Sequence, residues 1–152
     1  MDEERADVDV TVRTLSEKDF ERLVRIDEQI TGRRRTEWYQ GKLKRALQDS
    51  DVHISLGAEV DGTLVGALFG SVFFGEYGQP EPVAVLDTVL VDREVKRRGI
   101  GRALFEQLQL NLRALHIEKL RTEVAWDQHE LVQFFASRGF KPAERLVLEC
   151  KL

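Results

Sequence analysis

The stretch Val89-Leu90-Val91-Asp92-Arg93-Glu94-Val95-Lys96-Arg97-Arg98-Gly99-Ile100-Gly101-Arg102-Ala103-Leu104 decides how this chain folds. It completes a run from Val83 to Val91 that is apolar apart from Asp87 and Thr88, the pattern of a central strand covered on both faces. After it Ile100, Leu104, Phe105, Leu108, Leu112 and Leu115 recur at helical spacing. A buried strand that turns through glycines into a helix points the helix's first, unpaired N–H groups and its positive dipole end at one place, where an anion is held. Gly99 and Gly101 keep side chains out of that approach, while Lys96, Arg97, Arg98 and Arg102 add charge. A plain turn capped by solvated basic residues has the same sequence pattern, so the motif leaves both readings open.

The flanking sequence supplies the rest of an α/β fold. Val8, Val10 and Val12 alternate with polar residues up to Leu15, as in a half-buried strand. Ser16 and Asp19 resemble a helix start before Phe20, Leu23, Val24 and Ile30, and Gly32 ends that helix. Glu37 to Gln48 predicts a second helix with Tyr39, Leu43, Ala46 and Leu47 on its inner stripe. Val52 to Val60 alternates, Asp61-Gly62 is a hairpin turn, and Thr63 to Phe74 is the returning strand. Gly75 to Pro82 is a loop. Leu120 to Trp126 predicts a strand, Leu131 to Ser137 a short helix, and Arg145 to Leu152 a last strand in which Cys150 is expected to be buried. The order β-α-α-β-β-β-α-β-α-β predicts a mixed sheet with helices on both faces, built as one domain over residues 1–152.

Composition narrows the function. A chain of 152 residues, 42% hydrophobic and 33% charged, can bury a core without staples. No apolar run approaches the roughly 18 residues of a membrane span. The charged start Met1-Asp2-Glu3-Glu4-Arg5 lacks a secretory pattern, which leads us to expect a cytoplasmic protein with no membrane partner. A single cysteine rules out an intramolecular disulfide. The net charge of −4 speaks against general nucleic-acid binding. His53, His116 and His129 have no ligand-like spacing, so no metal is expected.

The loop lacks the Lys-Ser/Thr ending of an ATP-binding loop and the third glycine of a dinucleotide fingerprint. It resembles motif A of the GNAT superfamily of N-acetyltransferases, Gln/Arg-x-x-Gly-x-Gly/Ala, with Lys96 at the Gln/Arg position. Leu86 to Asp92 looks like that family's fourth strand, Gly101-Arg102-Ala103-Leu104 like the start of its third helix, and Gly139-Phe140 like the approach to its sixth strand. The resemblance implies acetyl-CoA as acyl donor, splayed fourth and fifth strands, a pantetheine arm along Val89, Leu90 and Val91, and a pyrophosphate at Lys96, Arg97, Arg98, Gly99, Ile100, Gly101 and Arg102. It also implies an acceptor that is a small-molecule amine or a protein amino group, and homodimers are common in such families.

Acetylating an amine requires the neutral nucleophile, whereas an alkyl ammonium has a pKa of about 10. A carboxylate that takes the proton meets this need. Asp87 stands in an apolar strand, where it lines a cleft or has a partner. Some small-amine acetyltransferases of the family carry an acid there. Glu123 matches the general-base glutamate of the family's N-terminal protein acetyltransferases. The alternative for each is an ion pair, for instance with Arg121 or Arg102. Gln128 stands where many members have Asn, and Phe135 where many have the Tyr that protonates the leaving thiolate. Both remain candidates to contact the pantetheine, yet Phe135 donates no proton, so an acyl-CoA sensor of little or no activity is the alternative to an enzyme. A bare phosphate- or polyanion-binding domain is a weaker third. Trp38, Tyr39 and Trp126 are candidates for the acceptor wall, with packing as the alternative, and Arg33 to Arg35 read as a solvated charge run.

Overall fold

The structure, a computed structural model, describes residues 9–48, 54–96 and 98–152. Met1 to Arg5, Val8, Val52, His53 and Arg97 lie outside the described residues. The chain divides into two compact units, Met1–Thr122 and Glu123–Leu152.

The first unit is built on a five-stranded sheet in the order β1-β2-β3-β4-β5. Its strands are β1 Thr11–Thr14, β2 Leu56–Val60, β3 Thr63–Phe73, β4 Val83–Val91 and β5 Leu120–Thr122. All neighbours are antiparallel except β4 and β5, which run parallel. Between β2 and β3 Asp61 and Gly62 both take positive φ, 51° and 76°, the geometry a two-residue hairpin demands. Helix α1, Phe20–Thr31, ends as the sequence predicts: Gly32 adopts φ 72° and its N–H donates to Glu28 O at 2.9 Å. Helix α2 spans Thr36–Gln48 and α3 spans Ile100–Ala114.

The period-2 alternation of β3 decides which helix covers which face. Ala67 and Phe69 join Leu23, Val24, Ile26, Tyr39 and Leu43 in one core beneath α1 and α2. Gly66, on the other face, lies beneath Ile100 and Leu104 of α3. Helices therefore flank the sheet on both sides, as expected.

The second unit contains helix α4, His129–Ser137. Its Phe135 is buried, with ring centroids 5.4 Å from Phe134 and 4.9 Å from Phe140. Two expectations are corrected here. The strand predicted from Leu120 to Trp126 stops at Thr122, and Arg145 to Leu152 forms no strand: Leu146, Leu148 and Cys150 are exposed. Alternation determines which residues would share a face, but a strand exists only when a neighbour completes its ladder.

Candidate active site

β4 is hydrogen-bonded to β3 along its length, but to β5 only through Ala84↔Leu120, Val85↔Arg121 and Leu86↔Thr122. Thr122 Oγ1 closes the last pair by donating to Leu86 O at 2.8 Å. From Asp87 to Val91 β4 therefore runs on with no partner in β5. At the parting point Phe69 pairs with Thr88 and Gly70 with Leu86, leaving Asp87 as the extra residue of a β-bulge. Gly70 makes the bulge possible, since a Cβ there would lie 2.9 Å from Val85 O.

The loop after β4 is fixed before it reaches its glycines. Asp92 is buried; its N–H donates to Val65 O at 2.7 Å and its carboxylate accepts from Glu94 N at 3.0 Å. Arg22 of α1 reaches across to donate to Asp92 Oδ2 at 2.7 Å and to Leu64 O at 2.9 Å. The chain then passes through a short 3₁₀ turn, Arg93–Val95, and turns into α3 at Gly99, whose φ is 82°. The helix start is pressed onto the sheet, because a Cβ on Gly66 would meet Ile100 Cγ2 at 2.8 Å and Leu90 O at 3.0 Å. Here the leading N–H groups of α3 lack helical partners, and Arg98 Nε is buried with no hydrogen-bond partner among the described residues. An orphaned guanidinium nitrogen beside a positive helix end suits a phosphate group, so the residues present fit the pyrophosphate of acetyl-CoA.

Asp87 has a partner that the sequence did not suggest. Lys42 of α2 donates to its Oδ1, and Thr88 Oγ1 donates to the same oxygen at 2.6 Å. The Lys42 ammonium also lies 4.8 Å from the Trp38 ring centroid and 5.1 Å from that of Phe69. Trp38 is half-exposed and carries the Arg35 guanidinium 4.2 Å from its centroid. Tyr39, proposed for the acceptor wall, is instead fully buried and donates its hydroxyl to Asp27 Oδ1 at 3.0 Å. Burial, then the Asp27 charge, raise its hydroxyl pKa.

The triple arginine run also does more than face solvent. Arg35 forks onto the two oxygens of Asp27 at 2.8 and 2.5 Å, which raises its own pKa, while Arg34 pairs with Glu21 and Glu28 at the surface. Asp27 was missed in the sequence; the signal that points to it is its place as the one acid on the apolar stripe of α1, three residues after Val24. Lys42 and Arg22 gave no sequence signal beyond ordinary helix-surface positions.

In the second unit Glu123 is exposed, Trp126 is 98% exposed, and Gln128 precedes α4 with its side chain making no cap bond. Among the described residues no three His, Cys, Asp or Glu side chains gather to hold a metal, and no helix is long and apolar enough to cross a membrane.

Residues 12–140 match the acetyltransferase (GNAT) family model, a match that runs through both units. No curated protein sequence matches the chain. Among solved structures, it is similar to a transcriptional regulator from Bacillus halodurans C-125, with 19% identity, a TM-score of 0.79, and coverage of 95% of this chain and 100% of that one. It is also similar to AAC(6')-Iy in complex with the bisubstrate analogue CoA-S-monomethyl-acetylneamine, at 17% identity and TM-score 0.77 over 95% and 99% of the chains. Ard1 from Thermoplasma volcanium is 26% identical, with TM-score 0.73 over 88% and 84%.

Proposed function

Because the chain belongs to the GNAT family of acetyltransferases, we propose that it moves the acetyl group of acetyl-CoA onto a primary amine in the cytoplasm. The observation that carries this reading is the parting of β4 from β5 after Leu86 and Thr122, directly upstream of the basic turn into α3. A pantetheine arm, itself an extended chain of amides, takes up the edge at Val89, Leu90 and Val91. The pyrophosphate then meets the N–H groups of Ile100 and Gly101 with Lys96, Arg98 and Arg102 around them.

The neutral amine attacks the thioester carbonyl carbon, the new C–N bond forms, and the C–S bond breaks to release CoA. The amine's surplus proton passes to a carboxylate. Asp87 already holds the Lys42 ammonium, so the proton is assigned to Glu123, and Asp87 is assigned the role of an orienting charge. Gln128 is assigned to the pantetheine, and Trp38 and Trp126 are each assigned to the acceptor. Phe135 supplies no proton, and a leaving thiolate of pKa about 8.5 takes one from water. CoA release with a panel of amines tests the reading: Glu123→Gln is expected to lower kcat by about 10²-fold or more with little change in the KM of acetyl-CoA.

The Phe135 ring, shut between Phe134 and Phe140, favours a second reading as an acyl-CoA sensor. Calorimetric binding of acetyl-CoA with no CoA release for any amine would select it.

A further inference from the structure

The side chains around Asp87 make an ammonium site that the chain fills with its own lysine. Three features converge on Lys42 Nζ: the Asp87 carboxylate, the ring of Trp38 at 4.8 Å and the ring of Phe69 at 5.1 Å. A carboxylate with aromatic faces is how proteins bind alkylammonium ions. The Lys42 side chain is only 11% exposed while that of Asp87 is 47% exposed, so the lysine reaches the carboxylate from beneath and is held there. Asp87 is the bulged residue where β4 leaves β5, two positions before Val89. An amine at this place lies beside the stretch of strand along which the donor is read to run.

We propose that Lys42 is itself an acetyl acceptor, modified by the protein with acetyl-CoA as donor. This rests on the reading that acetyl-CoA lies along β4. The Lys42 ammonium gives one proton to the Asp87 carboxylate with which it is paired. The neutral Nζ attacks the thioester carbonyl carbon, a C–N bond forms and the C–S bond breaks. CoA leaves as thiolate and recovers a proton from the attacking nitrogen, whose positive charge is thereby discharged, while Asp87 returns its own proton to water. The products are acetyl-Lys42 and CoA, with no change of oxidation state. The modified side chain has no charge, so it gives up both the ion pair and its attraction to the two rings.

Lys44, two residues along the same helix and exposed, is the internal standard. Undirected reaction of lysines with a thioester favours the accessible amine, whereas a directed reaction favours the covered one. The experiment incubates the full chain with acetyl-CoA and no added amine, follows intact mass, and maps acetylated peptides over time. Acetyl-CoA binding by calorimetry and CoA release with an amine panel are run on the same preparation. Lys42 is expected to be acetylated at least about tenfold faster than Lys44, and Asp87→Asn to remove most of that preference while leaving the Lys44 rate unchanged. The Asp87→Glu variant, which keeps the carboxylate, is expected to retain part of it. Equal labelling of Lys42 and Lys44, or a Lys42 preference that survives Asp87→Asn, overturns the proposal. Binding of acetyl-CoA and turnover of an added amine with Lys42 unmodified overturns it while leaving the proposed function standing. Absence of acetyl-CoA binding overturns both.

Discussion

Asp27 is 1% exposed and carries three hydrogen bonds, two from Arg35 and one from Tyr39. An ionised carboxylate in that position is tolerable only because its partners replace water. Asp27→Asn leaves the size of the side chain and removes the charge that Arg35 was folded around. We expect a loss of about 3 kcal/mol in urea unfolding, with Tyr39→Phe costing only about 1 kcal/mol because it deletes a neutral donor. At this scale the sequence was most legible where one residue type has one use, as at Gly32, whose positive φ follows from its ending a helix. It was least legible for pairs: Lys42 with Asp87 and Arg22 with Asp92 lie 45 and 70 residues apart in the chain. Nothing local in either partner announces the other, and a carboxylate in an apolar strand says only that some cation must come.

Elements were legible to the extent that their stabilisation is local. β4 occupies Val83–Val91, the run read from composition alone, and α3 starts at the predicted glycines. The bulge at Asp87 was not legible, because it depends on register against β3, and neither was the loss of the last strand. Gly66 shows how an element's position is set by a residue that contributes no side chain. Gly66→Ala forces a Cβ against Ile100 Cγ2 and, less forgivingly, against the backbone oxygen of Leu90. The start of α3 must move away from the sheet, at a cost of about 1–3 kcal/mol. Since that helix end is read as the pyrophosphate seat, the KM for acetyl-CoA is expected to rise with kcat held. The control is Gly41→Ala in α2, where the new methyl meets only the end of Arg45 at 3.4 Å. That change is expected to raise stability by about 0.5–1 kcal/mol through helix propensity, with KM unaltered. Paired unfolding curves and acetyl-CoA titrations separate the two outcomes.

For the molecule as a whole, a net charge of −4 gave no hint that most of the mapped ion pairs hold elements together. The widest of these networks centres on Arg13 of β1, which donates to both oxygens of Asp19 at 2.9 Å and to Glu59 of β2 at 2.9 Å. Ser16 N–H adds a fourth bond, to Asp19 at 2.8 Å, so one carboxylate ties the sheet edge to the lead-in of α1. Burial alone would raise the Asp19 pKa; the bonds from Arg13 and Ser16 outweigh it and hold the carboxyl below its ordinary range. A carboxyl with a depressed folded pKa contributes stability that is complete above its unfolded value of about 4 and is lost as pH falls through the folded value. The wild-type chain is therefore expected to lose stability below about pH 4 in part through this one group. Asp19→Asn is expected to cost about 1.5–3 kcal/mol at pH 7, where the charged bonds are whole, and progressively less toward pH 3. Urea midpoints of both chains at pH 7, 5 and 3 measure it: a gap that narrows only below pH 5 assigns the acid sensitivity to Asp19, while a gap constant across the range would mean that the carboxylate contributes shape and not charge.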